Sequence, residues 1–136
     1  MPGAPVLLVV DDDQQAREVV EGELRKRYGA DYRVICVGSA DDPPALLARL
    51  RDDQRLVSIV LAGESVSRQA GTALLARVRE FHSTVKRLLL IPPEYGPPPE
   101  PILPAIALGH IDAYGRRPAT VPDGEFHLTV TELLEK

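Results

Sequence analysis

The residues most capable of chemistry in this chain are three consecutive aspartates, Asp11, Asp12 and Asp13. Adjacent carboxylates repel one another, and proteins compensate for that repulsion with a hard cation such as Mg²⁺ or with a nearby Arg or Lys. Asp13 stands just before apolar residues at helical spacing, so we predict that it caps a helix. Asp11 and Asp12 therefore remain as candidates for a cation site or for an ion pair.

Other residue types that support catalysis are scattered along the chain. The histidines and the single cysteine, Cys36, lack the spacing of a metal site, and we expect Cys36 to be buried and inert. Ser65 and Ser67 are the candidate nucleophiles of a hydrolase, but no general base is placed near them and neither lies in a Gly-x-Ser-x-Gly turn. No Gly-rich dinucleotide fingerprint follows a strand. We therefore expect no enzyme and no resident cofactor.

Length and composition are those of one soluble domain spanning residues 1–136. The chain has 44% apolar residues, 26% charged residues and a net charge of −4, which gives no reason to expect nucleic-acid binding. No apolar run approaches the roughly 20 residues needed to cross a bilayer, and the first residues lack a signal-peptide pattern. We expect a cytoplasmic protein without a membrane partner.

The carboxylates must be positioned by an alternation of strands and helices. Five short apolar runs are typical of strands covered on both faces: 6–10, 32–37, 56–61, 88–91 and 111–114. Helical spacing follows each run: 14–28, 43–50 after an Asp42 cap, 74–81, about 104–108, and a final helix after Asp123. Such alternation predicts an α/β fold with a doubly wound parallel sheet, whose ligands bind at the carboxyl ends of the strands.

A proline-rich segment follows the fourth predicted strand. Residues 92–104 contain seven of the thirteen prolines of the chain, which excludes a long regular helix there. Prolines reduce the entropy lost when a segment is ordered, so Pro97, Pro98 and Pro99 are candidates for a preset docking surface. A stiffened surface loop without a partner explains the same composition equally well.

The run from Leu8 to Asp13, the five strand–helix units and Arg117-Pro118 together resemble the receiver domain of two-component response regulators. The resemblance covers nearly the whole chain and implies a flavodoxin-like sheet of five strands in the order 2-1-3-4-5. In that family an acidic pair after the first strand helps to hold Mg²⁺, and an aspartate at the end of the third strand accepts the phosphoryl group. A Ser or Thr ends the fourth strand, and a Lys before Pro ends the fifth.

The acceptor position of the family falls on a glycine in this chain. Counting back eight residues from Gly71, the glycine that opens the third helix, leads to Gly63, which has no carboxylate. A shift of one residue would place Glu64 there instead, either as an acceptor or as a fixed charge that mimics the phosphorylated state. The resemblance thus implies a degenerate phosphorylation site.

Two other site positions also depart from the family pattern. Ile91 stands where the Ser or Thr belongs and offers no hydrogen bond, whereas Arg117 replaces the Lys and keeps its charge. Asp11 and Asp12 match the acidic pair. Without a third carboxylate we expect Mg²⁺ binding to be weak, and we expect Arg117 to turn toward the pair and neutralise it.

A narrower resemblance concerns the region around the second strand. Arg27-Tyr28-Gly29 followed by Tyr32-Arg33-Val34 is similar to receiver domains attached to FAD-dependent, thioredoxin-reductase-like proteins. The motif is short and implies only a kind of neighbouring domain.

These observations favour a regulatory domain that acts independently of phosphorylation. It would contact a protein partner or an output domain, or form a homodimer, through the face built by the fourth helix, the fifth strand with Tyr114, and the fifth helix. One alternative is a small-ligand or nucleotide sensor that uses the vacated strand-end cleft. Another is an active phosphoreceiver in which Glu64 or another residue is the acceptor.

Overall fold

The computed structural model describes residues 4–38, 41–63, 71–82, 84–91, 111–116, 118 and 124–135, with only the backbone described at 71–73, 124 and 125. Five parallel strands form one sheet in the order β2-β1-β3-β4-β5, as the receiver resemblance implies. The strands are β1 Val6–Val10, β2 Arg33–Val37, β3 Val57–Gly63, β4 Lys86–Ile91 and β5 Ala113–Arg116.

Four helices are described, and they cover both faces of the sheet. They are α1 Gln14–Tyr28, α2 Pro43–Asp52, α3 Gly71–Val78 and the C-terminal helix Gly124–Glu135. Within the described part of the chain, no helix is both long and apolar enough to cross a membrane.

The core has two layers because side chains alternate between the faces of a strand. On one face, Leu8 and Val10 of β1 pack with the apolar residues of α2 and α3, among them Leu47 and Leu75. On the other face, the alternate strand residues pack with α1 and the C-terminal helix. The buried members of that second layer are Leu7, Val9, Val20, Leu24, Tyr28, Val34, Ile59, Leu61, Leu88, Leu90, Phe126, Val130 and Leu133.

The helix caps predicted at Asp13 and Asp42 are confirmed, whereas Asp123, the predicted cap of the final helix, lies outside the described residues. The Asp13 carboxylate accepts hydrogen bonds from the backbone N–H groups of Gln15 and Ala16, at 3.0 and 3.3 Å. Asp42 caps α2 through the N–H of Ala45, with Pro43 in the first turn, and adopts a left-handed backbone that aspartate tolerates better than most residues. The Asp13 cap therefore satisfies two of the free N–H groups at the start of α1, next to the end of β1.

Several element boundaries differ from the sequence prediction, among them those of β3, β5 and α3. β3 continues to Gly63, a residue that the composition had placed in a loop, because its backbone pairs with Leu90 of β4. β5 begins two residues later than predicted, since Asp112 is held by Arg87 just before the strand. Phe81 lies beyond the end of α3 but still packs partly buried against the core.

Candidate functional site

The candidate site lies where β1 and β3 end side by side. Val10 is paired with Ala62 in the sheet, so the residues that follow them, Asp11 and Gly63, are neighbours at the carboxyl edge. Ligands of open α/β sheets bind at this edge. The register thus places Asp11 directly beside Gly63, the residue that the sequence predicts at the acceptor position.

Asp11 is held by hydrogen bonds on several sides. It is only 9% exposed, and one carboxylate oxygen, Oδ1, accepts the backbone N–H of Asp13 at 3.0 Å. Its own N–H donates to the Val37 carbonyl at 3.0 Å, and its carbonyl accepts from Nη1 of Arg17 at 3.2 Å. These contacts fix the orientation of the residue at the edge of the sheet.

The Asp11 carboxylate occupies the space where a side chain of residue 63 would begin. A Cβ atom built on Gly63 would lie 2.8 Å from Oδ2, 3.0 Å from Cγ and 3.3 Å from Oδ1 of Asp11. Contacts below 3.0 Å are essentially never seen for real Cβ atoms, so any side chain at this position requires Asp11 to move. Glycine at position 63 is what allows the observed position of the carboxylate.

Asp12 is exposed and lies near the guanidinium group of Arg17, a residue that is not among those predicted from the sequence. A Cβ atom built on Gly38 would be 3.1 Å from Nη1 of Arg17 and 3.3 Å from Oδ1 of Asp12, so both groups lie against the same glycine. Arg17 follows the Asp13 cap by one helical turn. That spacing directs a long side chain back toward the strand end, and it is the signal that could have identified Arg17.

Ile91 is fully buried at the end of β4 and belongs to the apolar layer that contacts α2 and α3. It has no polar atom to offer at the position where the family has a hydroxyl. The residue paired with it in β5 is Arg116, the last residue of that strand.

The remaining predicted site residues are only partly within the described structure. Tyr114 lies in β5, with its ring half-buried against the core. Glu64, Arg117 and the prolines Pro97, Pro98 and Pro99 lie outside the described residues.

Mg²⁺ is the cation that the receiver resemblance implies at this edge of the sheet. Mg²⁺ prefers octahedral oxygen coordination and is usually bound by one or two carboxylates plus other oxygen ligands. Here Gly63 contributes no side chain, and Asp11 directs its carboxylate against that glycine and the Asp13 N–H. Across the described ranges, no three His, Cys, Asp or Glu side chains converge as metal ligands. The site as described does not fit the ion.

The single cysteine has no described role at this edge. Burial, followed by the charge of Glu21, raises the pKa of the Cys36 thiol to about 12, so the thiol is protonated at neutral pH. A protonated thiol is a poor nucleophile. The side chain, which the sequence predicts to be buried, is half-buried.

Comparison with known proteins places this geometry in context. No family model matches the chain. Over 84 residues, or 62% of the chain, it is 31% identical to the hydrogenase transcriptional regulatory protein HoxA of Bradyrhizobium diazoefficiens. The chain covers only 16% of the length of that relative.

Solved structures share the fold over almost the entire chain. The signal receiver domain of an HD domain-containing protein from Pseudomonas fluorescens Pf-5 matches with a TM-score of 0.72 and 24% identity, covering 98% of this chain and 96% of the other. A CheY-like receiver domain from Methanospirillum hungatei JF-1 matches with a TM-score of 0.68 and 18% identity, covering 98% and 95%. The chain therefore has the receiver fold.

Proposed function

We propose that this chain is a regulatory domain of two-component signalling that has kept the receiver fold and acts without being phosphorylated. The observation that carries the proposal is Gly63 at the carboxyl end of β3, with the Asp11 carboxylate in the space that a side chain there would occupy. The fold and the similarity to a transcriptional regulator support a regulatory role. The proposed role is contact with a protein partner or an output domain, and it involves no catalysis by this chain.

The chemistry of phosphoryl acceptance supports the same conclusion. Aspartyl phosphorylation needs a carboxylate that can attack the donor and groups that stabilise the charge on the transferred phosphoryl oxygens. Gly63 has no nucleophile, and Ile91 has no hydroxyl to donate. Asp11 carries a carboxylate but is mostly buried and already accepts a backbone N–H. We accordingly propose that Mg²⁺ binds weakly at most.

The direct test is incubation of the chain with acetyl phosphate and Mg²⁺, followed by intact-mass measurement. We expect no phosphoryl adduct, whereas a receiver domain with an aspartate at this position, treated in parallel, should gain one. An adduct on this chain would refute the proposal. In that case, loss of the adduct in the Glu64→Gln variant would identify Glu64 as the acceptor.

Magnesium binding gives an independent test by NMR titration. We expect at most weak shifts of the Asp11 and Asp12 amides with added Mg²⁺. Saturable, site-specific binding at those residues would show that the acidic pair still functions as a cation site.

A further inference from the structure

The outer edge of β2 carries backbone groups that face away from the sheet. The N–H of Arg33 donates to Pro5 and the carbonyl of Val37 accepts from Asp11, so Arg33, Ile35 and Val37 direct their backbone groups toward β1. Backbone groups alternate along a strand, so those of Val34 and Cys36 point outward. The order of the sheet places no described strand on that side.

A groove of about 670 Å³ runs along this edge, between the strand and α1. Glu21, Arg25 and Gly29 of α1 form one wall, and the stretch from Tyr32 to Cys36 forms the other. A polar contact across it to the backbone of β2 is long, 3.5 Å from Nη2 of Arg25 to the Val34 carbonyl. The Arg25 side chain is 59% exposed, so it can leave that carbonyl at low cost.

Side chains of opposite charge lie beside Val34 and Cys36, the two β2 residues whose backbone groups point outward. Arg25 lies beside Val34, as its contact with the carbonyl shows. Glu21 lies beside Cys36, where its charge and a hydrogen bond add to burial in raising the pKa of the thiol. Glu21 and Arg25 also pair with each other across one helical turn, at 2.8 Å.

We propose that this edge binds a second copy of the chain, with the two β2 strands antiparallel about a two-fold axis at Ile35. In that register Val34 of one copy opposes Cys36 of the other, and both are residues whose backbone groups point outward. Such opposed residues exchange N–H to carbonyl hydrogen bonds, and the two sheets become continuous.

The charge pattern selects a second copy over an unrelated peptide. A two-fold axis perpendicular to the sheet keeps the α1 helices of both copies on the same face. Arg25 beside Val34 then approaches Glu21 of the other copy, beside its Cys36, and the same pair forms at the symmetric position. On the opposite face Ile35 meets its own counterpart and Arg33 faces Val37, so neither of these β2 pairs brings like charges together.

This interface differs from the one expected from the sequence, which involved the fifth strand and the helices around it. It also does not depend on the state of the phosphorylation site. A phosphoryl adduct in the acetyl phosphate test would therefore not argue against this dimer. A monomeric chain, in turn, would not argue against the proposed lack of phosphorylation.

Charge reversal tests the proposal through the oligomeric state, measured by sedimentation velocity over a series of concentrations. We expect the unmodified chain to dimerise, and we expect Glu21→Arg and Arg25→Glu each to weaken the dimer at least tenfold. The double variant should dimerise again, since the opposite charges still meet across the axis. A chain that stays monomeric into the millimolar range, or a dimer indifferent to all three variants, would overturn the proposal.

Cysteine cross-linking tests the register and remains informative if the charge variants fold poorly. In a Cys36→Ala background, Ile35→Cys should form an intermolecular disulfide, because opposed residues that are not hydrogen-bonded have Cα atoms about 4.5 Å apart. Val37→Cys is the matched control. Its counterpart would be roughly 13 Å away along the strand, too far for a disulfide. Equal cross-linking by the two variants would contradict the register.

Discussion

At the scale of single residues, Gly63 and Asp11 form one unit. The glycine at position 63 and the placement of the Asp11 carboxylate are complementary, since the carboxylate lies where a Cβ atom of residue 63 would be. Simply restoring an aspartate at position 63 would therefore not restore a receiver site, because Asp11 would first have to turn away. In the function proposed above, the departure from a phosphorylation site therefore involves the position of Asp11 as well as the glycine at position 63.

We expect Gly63→Ala to destabilise the fold by about 1–3 kcal/mol, the usual cost of overpacking a tight site. The Asp11→Ala variant removes the obstructing carboxylate. The double variant should therefore be more stable than the sum of the two single effects predicts, and urea denaturation of all four proteins measures this coupling. Additive effects would show that the two positions do not compete for the same space.

At the scale of elements, helix α1 contains Gly22, where a side chain would meet open space. The helix is followed by Gly29, where a side chain would not fit. A Cβ on Gly22, which is exposed in the middle of the helix, would have no atom within 4 Å. A Cβ on Gly29, which ends the helix, would clash with the backbone carbonyl of Arg25. The same substitution at the two positions should have opposite effects.

Gly22→Ala should stabilise the protein by about 1 kcal/mol, because alanine has the higher helix propensity and meets no obstruction. Gly29→Ala should destabilise it, since either the helix end or the following turn has to shift. Thermal unfolding followed by circular dichroism measures both. A lower melting temperature for Gly22→Ala would indicate that the open surface around this residue is covered in solution.

At the scale of the whole molecule, polar contacts between side chains join elements that are distant in sequence. Arg87 is 2% exposed, and its Nε lies 3.2 Å from Oδ2 of Asp112, while Arg79 reaches Oδ1 of the same carboxylate at 3.1 Å. On the opposite face of the sheet, Nε2 of His127 lies 2.8 Å from Oε2 of Glu23 and joins the C-terminal helix to α1. Each contact joins two parts of the chain that are far apart in sequence.

The Asp112 cluster should make the stability of the whole fold sensitive to acid. Burial tends to raise the pKa of Asp112, but hydrogen bonds and charge from Arg87 outweigh it and hold the pKa below the ordinary value of 3.8. A carboxyl whose pKa is lower in the folded than in the unfolded protein stabilises the fold at pH values above its unfolded pKa. This contribution is lost as the pH falls through the folded pKa. The loss should therefore occur below about pH 4.

Asp112→Asn should flatten that part of the stability profile, measured by urea denaturation between neutral and acidic pH. At neutral pH the variant should be about 3 kcal/mol less stable, because Arg87 would be left buried without its carboxylate. Arg79→Gln, which removes the more exposed partner, is the control and should cost much less. An unchanged acid slope in Asp112→Asn would show that other groups determine acid unfolding.

The sequence by itself determined those features that depend on neighbouring residues. Apolar runs and helical spacing predicted the alternating strands and helices, and Asp13 and Asp42 were recognisable as caps because a cap bonds to N–H groups only two or three residues away. The resemblance carried by the acidic run then predicted the strand order and placed the acceptor position on Gly63.

Only the tertiary structure decided which distant groups meet. Glu23 and His127 are 104 residues apart, and Arg87 and Asp112 are 25 apart, so no periodicity within one element could pair them. The same holds for the carboxylate of Asp11 against Gly63, which depends on the register between β1 and β3. Register is fixed when two strands align their buried faces across the sheet, and that choice involves both strands at once.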